Sequence, residues 1–272
     1  MQPDDRDGLR VYRFETIPGE RVDALVSTRL GGASTGPHAA LNLGLHVGDD
    51  DATVVANRRA FFSAFGLPFE RSVWCKQVHE DTVAVIDSAH AGAGREDDTQ
   101  AIGGTDALVT DVPDLPLCVM MADCVPVVLY DPEHHALGLA HAGWRGTVKR
   151  IGSRTVETMT ERYGTDPAAL IVAIGPSIGP EHYAVGENVI TAAREAYGDA
   201  PILRELGGGK ALFDLWAANE HDLRSAGVTQ VEVSGISTVG ALDEFYSHRF
   251  EAGDGVPHTG RFATVSRLRE RA

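Results

Sequence analysis

Three side chains stand out by type and setting: His79, Cys124 and His141, each placed where an apolar run of the sequence stops. One thiolate and two imidazoles match the set that holds zinc in a catalytic site with an open fourth position. There the ion serves as a Lewis acid and lowers the pKa of bound water. The same three groups also suit a cysteine nucleophile with a histidine base. Spacing does not choose between these readings, because none of the usual short Cys-x-x-Cys or His-x-x-x-His pairings is present. Cys75 is a further donor, but on a shared strand it would lie about 13 Å from His79, too far for both to hold one ion.

Other stretches offer anion contacts or invite false readings. His141-Ala142-Gly143-Trp144-Arg145-Gly146-Thr147 enters a helix, where glycines permit close backbone approach and Arg145 could clamp an anion. The alternative is a tight strand-to-helix turn with Arg145 in solvent. Residues 28–44 form a long glycine-rich loop with Arg29 and Asn42 near its ends, which reads as a ligand loop or lid. Gly175-Pro176-Ser177-Ile178-Gly179 copies the Gly-x-Ser-x-Gly nucleophile elbow, yet Pro180 follows and no helix starts at once. The elbow needs that immediate strand–turn–helix, so a Ser177 hydrolase is disfavoured. Gly207-Gly208-Gly209-Lys210 lacks both the spacing and the Ser/Thr of a phosphate-binding loop.

The elements that must position these groups centre on residues 117–146. Leu117–Ala122, Pro126–Tyr130 and Ala136–Ala140 are short apolar runs, and Pro126 and Pro132 argue against one long helix. Strands buried on both faces are expected. Thr147 is the expected N-cap of a helix whose apolar face is Val148, Ile151, Val156, Met159 and Tyr163, closed by Gly164. Helices are also predicted over Asp51–Phe65, Val189–Tyr197 and, capped by Asp214, from Leu215 to Gly227. Further strands are predicted over Val11–Phe14, Val22–Thr28, Ser72–Val78, Thr82–Ile86, Asp106–Thr110, Leu170–Ile174, Val228–Ile236 and Arg261–Val265. Residues 1–10 read as a flexible tail, 89–103 as a mobile surface loop and 251–260 as a polar connection, leaving one catalytic domain over residues 11–268.

Composition narrows the partners. With 272 residues, the chain can bury a large core, and 43% hydrophobic with 23% charged residues is ordinary for a globular protein. A formal charge of -15 and the lack of any basic run argue against nucleic acid. No signal-peptide pattern or bilayer-length apolar stretch occurs, so the cytoplasm is the expected compartment and no membrane partner is expected. Three cysteines are too few for a disulfide framework.

Taken together, Thr28-Arg29 with Gly31-Gly32, Leu41-Asn42-Leu43-Gly44, Gln77-Val78-His79, Asp106-Ala107-Leu108-Val109-Thr110, Ala122-Asp123-Cys124-Val125-Pro126 and His141-Ala142-Gly143-Trp144-Arg145-Gly146 carry a more specific signal. With Gly175-Pro176-Ser177 they resemble the family variously named multicopper polyphenol oxidoreductase (laccase), peptidoglycan editing factor (YfiH) and purine nucleoside phosphorylase. The resemblance runs from about residue 11 to 268. It implies an α+β fold, a mixed β-sandwich core flanked by helices in α/β/β/α layers. It also implies zinc on His79, Cys124 and His141, and phosphorolysis of purine nucleosides (adenosine, inosine, methylthioadenosine) with adenosine deamination. Purine nucleoside and phosphate are then the partners, with a monomer or homodimer both open. Arg29 and Arg145 are the implied anion contacts, and Asn42 and Gln77 polar contacts or orienting groups. Two positions depart from the family's pattern: Ser237 stands where many members carry cysteine, and Ala184 replaces a glutamate after Tyr183. Multicopper chemistry fits poorly, because no His-x-His pair occurs anywhere in the chain. Two readings compete: an amide hydrolase using Cys124 with His141 as base in peptidoglycan precursor editing, and a non-enzymatic partner of cell-wall synthesis.

Overall fold

The apolar runs of the central segment become the strands Leu117–Met121, Val125–Asp131 and Ala136–Ala142, and every residue in them is buried. The second and third pair antiparallel, with Pro126 opposite His141. The first belongs to a different sheet. The chain therefore passes from one sheet to the other at residues 122–124, and Cys124 sits at that crossing. This computed structural model describes residues 1–252 and 259–270, so most of the polar connection expected over 251–260 lies outside the described residues.

One six-stranded sheet runs in the order Gln2–Arg6, Leu9–Arg13, Val22–Ser27, Phe262–Leu268, Leu117–Met121, Val73–Trp74. The other runs Gln230–Val233, Ile171–Ile174, Val125–Asp131, Ala136–Ala142, Ala107–Thr110, Val83–Val85. Strand alternation explains why both faces are apolar. Val119, Met121, Val26 and Phe262 of the first sheet meet Val128, Tyr130, Leu137 and Leu139 of the second in a shared core. The opposite face of the first sheet packs Leu25, Met120 and Val265 against Phe61 and Phe62 of the helix Asp51–Ala64 and its C-cap Phe65. Each such fully buried side chain contributes roughly 1.5–3 kcal/mol. The far face of the second sheet packs Val127, Leu129 and Ala140 against Ile151, Val156 and Leu223 of the helices Ile151–Tyr163 and Leu215–Ser225. Gly138 lets that helix layer close in, because a Cβ there would lie 3.0 Å from both Met159 and Thr155. The layers are α/β/β/α, as the resemblance implies.

Several local expectations need correction. Residues 1–10 are not a tail: Gln2–Arg6 and Leu9–Arg13 form an antiparallel hairpin at the sheet edge. Asp7 and Gly8, both at positive φ, make its two-residue turn. The outer strand is polar because it is an edge, with Asp4 and Asp5 paired to Arg13 and Arg10. The strand expected over Ser72–Val78 is only Val73–Trp74. Gln77's side chain, rather than its backbone, exchanges two 2.8 Å hydrogen bonds with the main chain of Met120. The loop 89–103 is anchored: Trp74 N–H donates to Ala93, and Arg58 donates to the carbonyls of Gly94 and Arg95. The helix expected from Thr147 onward is two helices, Trp144–Val148 and Ile151–Tyr163, broken at Arg150 (φ 62°). Tertiary bonds hold the first in place, since Tyr197 and Asn219 donate to the carbonyl and hydroxyl of Thr147.

Candidate active site

The structure brings His79, Cys124 and His141 together, with their ligand atoms all within 4.8 Å of one another. Cys124 Sγ lies 3.8 Å from His79 Nε2, and the two imidazole rings meet nearly edge to face with centroids 4.9 Å apart. Three different pieces of chain supply them: the loop after Val73–Trp74, the sheet-to-sheet crossing, and the end of Ala136–Ala142. His141 lies within its strand rather than after it.

A buried carboxylate organises this meeting. Asp106 Oδ1 accepts from His141 Nδ1 at 2.9 Å and from the His79 backbone N–H at 3.0 Å. Its Oδ2 accepts from the N–H groups of Val78 and Glu80 at 3.1 and 2.9 Å. The loop is thus wrapped around one side chain, which accommodates His79 at φ 61°, a region few non-glycine residues occupy. With Nδ1 engaged, His141 presents Nε2 toward the triad. Gly143 closes the arrangement: a Cβ there would fall 2.8 Å from the His79 ring and 3.1 Å from Cys124 Sγ. The close approach that the glycine permits is to these two side chains.

Electrostatics separate Cys124 from the other cysteines. Burial raises its thiol, but His141 and then His79 more than offset that and lower it to about 6. Burial lowers His141, while the Cys124 sulfur and Asp106 raise it to about 9. Burial would likewise raise Asp106, yet its bonds to His141 and the loop N–H groups hold it below the ordinary carboxylate value. Cys75 and Cys118 are fully buried, and burial pushes both thiols up. Among the described residues the triad is the one cluster of three such side chains suited to a metal. Its donors fit zinc: one thiol already inclined to ionise, and two imidazoles of which one has its second nitrogen fixed by a carboxylate.

Two cavities meet at the triad. The larger, about 370 Å³, holds all three side chains and is lined also by His46, Lys76, Gln77, His248 and Arg261. The smaller, about 290 Å³, shares His79 and Cys124 and is walled by Trp144, Arg145, Ile178, Tyr183, Leu215 and Arg249. Arg145 is exposed there, its guanidinium 4.8 Å from the Trp144 ring. Gln77 lines the larger cavity while pinning Met120. Asn42 lines neither of these cavities: both amide hydrogens and both lone pairs are used on Gly44, Asp49 and the backbone N–H of Arg261. Arg29 is occupied by Glu251 at 2.7 Å and by the carbonyls of Ala39 and Leu242, with Tyr246 beneath it. Ser177 is buried, accepts a 2.5 Å bond from the Trp216 indole, and is hydrogen-bonded to no histidine among the described residues.

Several groups at the site had no signal of their own in the sequence. Asp106 reads as the first residue of a strand, and Arg261 as the start of the last one. Their roles come from pairing across the fold: His141 N–H bonds Asp106 O across two neighbouring strands, and Asn42 bonds Arg261 across 219 residues. Asp123, at φ 87°, accepts from Thr238, Ser247 and the Arg249 N–H, tying the wall of the smaller cavity to the residue beside Cys124.

The sequence pattern of the family described as multi-copper polyphenol oxidoreductase laccase matches residues 23–269. The purine nucleoside phosphorylase YlmD of Geobacillus stearothermophilus is 38% identical over 249 residues, 90% of this chain and 89% of that protein. A purine nucleoside phosphorylase of Deinococcus radiodurans is 39% identical over 265 residues, covering 97% and 95%. The crystal structure of the Geobacillus protein superposes with a TM-score of 0.92 at 36% identity, over 98% of each chain.

Proposed function

We propose, since this chain belongs to the multi-copper polyphenol oxidoreductase laccase family and its relatives include purine nucleoside phosphorylases, that it is a zinc-dependent purine nucleoside phosphorylase which also deaminates adenosine. One observation carries the reading: a thiol and two imidazoles within 4.8 Å of one another, at the junction of two cavities. His79, Cys124 and His141 would hold the ion, which supplies a Lewis acid with an open position when bound. Asp106 keeps the His141 ring in one orientation, and Gly143 leaves room for His79 and Cys124 to close on a shared point. Trp144, Ile178, Tyr183 and Leu215 give the smaller cavity the apolar lining that suits a purine ring. In phosphorolysis a phosphate oxygen bonds to ribose C1′ as the bond to the purine nitrogen breaks, yielding ribose 1-phosphate and free base. We place the activity in the single domain 11–268 and in the cytoplasm; among the described residues no helix is long and apolar enough to cross a membrane.

The test is to incubate zinc-loaded protein with adenosine or inosine, each with and without phosphate, and to separate the products by chromatography. Phosphate-dependent free base, lost in Cys124→Ala, is the expected result. Inosine formed from adenosine without phosphate marks the deaminase route. Absence of both from zinc-loaded protein rejects the reading.

Cys124 supports a second reading, thiol chemistry with His141 as base, because its thiol is lowered to about 6. Amide hydrolysis by zinc-free protein, abolished by alkylating Cys124, would favour it. Zinc bound one to one and released by Cys124→Ala would count against it.

A further inference from the structure

Arg261 differs from the other arginines near the site. It is half-buried in the larger cavity. Its Nη1 donates to the carbonyls of Thr259 and Gly260 at 2.8 and 3.0 Å, while Nε and Nη2 donate to no protein atom among the described residues. No carboxylate among the described residues pairs with it, although the chain carries 39 acidic residues and a net charge of -15. Arg29, by contrast, is neutralised by Glu251. Arg145 and Arg249 line the other cavity and lie over Trp144 and Tyr183.

Arg261 is also held rigidly. Its backbone N–H donates to Asn42 Oδ1 at 2.9 Å, and its stem presses on Gly44, where a Cβ would lie 2.9 Å from Arg261 Cγ. The Asn42-Leu43-Gly44 turn thus acts as a clamp on this one side chain. The same cavity is lined by the imidazoles of His46 and His248, by the ammonium of Lys76 and by the carboxylate of Asp98, which pairs with that ammonium at 3.6 Å. A fixed guanidinium with a free edge, ringed by further N–H donors, matches a tetrahedral oxyanion. An unpaired cation withdrawn from water is costly unless a ligand answers it.

We propose that Arg261, clamped by Asn42 and Gly44, is the core of an oxyanion subsite in the larger cavity, and that inorganic phosphate is its ligand. The subsite gives the phosphorolysis reading a place for the second substrate, in the same cavity as His79, Cys124 and His141, and in that respect it rests on that reading.

The test measures inorganic phosphate binding by titration calorimetry to zinc-free protein, then phosphate and nucleoside KM in zinc-loaded protein. Arg261→Gln is expected to weaken phosphate binding at least about 30-fold, to raise the phosphate KM in parallel, and to leave the nucleoside KM within about two-fold. Arg162→Gln, which removes an exposed positive charge from the helix Ile151–Tyr163, is expected to change neither. Phosphate binding to Arg261→Gln at wild-type affinity, or equal weakening in Arg162→Gln, overturns the proposal. Should Arg261→Gln lose its cooperative thermal transition, Arg261→Lys keeps stem and charge without the fork. A phosphate affinity there at least about five-fold below wild type supports the subsite, and an unchanged one overturns it. Phosphorolysis with an unchanged phosphate KM in Arg261→Gln would sink the subsite and spare the enzyme reading. Arg261-dependent phosphate binding without phosphorolysis would do the reverse.

Discussion

Asp106 and Asp123 are both buried carboxylates next to the triad, and they restrain different parts of it. Asp106 gathers four N–H donors, three from the backbone of the loop around His79 and one from the His141 ring. Asp123 gathers two hydroxyls and one backbone N–H, all from residues 238–249. The first sets the geometry of the donor atoms. The second sets the wall of the smaller cavity and leaves the triad's own atoms alone. Metal affinity and substrate affinity are therefore expected to be separable by mutation, each through one carboxylate.

Asp106→Asn breaks the comparison hardest. The new amide would point N–H groups at N–H groups in a buried site, so stability falls by about 3 kcal/mol or more. Zinc affinity falls about 10- to 100-fold, because His141 loses its orienting partner. Thermal unfolding and competition with a chelator measure the two effects. An affinity unchanged from wild type would show that Asp106 only shapes the loop.

Gly143→Ala comes next. Its backbone lies at ordinary negative φ, so the substitution acts through the clash with His79 and Cys124 alone. The cheapest relief is for the His79 ring to swing away. Zinc affinity then drops about ten-fold with little change in melting temperature. A large fall in melting temperature at unchanged affinity would mean the chain shifts instead of the ring.

Asp123→Asn sharpens the contrast from the other side. Asparagine tolerates the positive φ and keeps one acceptor, but the Arg249 N–H loses its partner. A loss of about 1–2 kcal/mol is expected. The nucleoside KM should rise several-fold while zinc affinity stays within about two-fold. Zinc loss comparable to that of Asp106→Asn would erase the distinction between the two carboxylates.

The smallest effect is in protons. Between pH 6 and 9 the zinc-free triad holds a Cys124 thiolate beside a protonated His141. Zinc must displace the His141 proton there, so one proton is released on binding. Below about 6 the thiol carries a proton as well and this pair releases two; above about 9 the pair holds neither. Affinity accordingly falls with falling pH, more steeply below 6. Calorimetry in buffers of different ionisation enthalpy counts these protons. A release of two at pH 8 would show that Cys124 and His141 do not share a single proton there.

Much of the fold was legible because short apolar runs punctuated by Pro126 and Pro132 suit strands between layers better than one long helix, as Val125–Asp131 and Ala136–Ala142 show. The Asp7-Gly8 hairpin was missed, because charged residues on both sides hid it: an edge strand and a solvated tail share one composition. At the site, residue type and position at the ends of apolar runs singled out His79, Cys124 and His141 as candidate donors, and the family resemblance joined them into one set. Arginine and asparagine carry no such mark. Arg29 and Arg261 are chemically identical, and only the position of Glu251 beside one of them, and of Asn42 and Gly44 beside the other, tells a structural cation from one left open to a ligand.

By itself, then, the sequence determined the central strands, through hydrophobic period, and offered His79, Cys124 and His141 as candidate donors by side-chain chemistry, while the layering and the donor set were implied by its family resemblance. Tertiary structure alone decided which carboxylate orients His141, that Arg261 has no carboxylate partner among the described residues, and that Ser177 is buried under Trp216. Those outcomes depend on partners up to 219 residues away, and a hydrogen bond or ion pair reads distance in space, not along the chain.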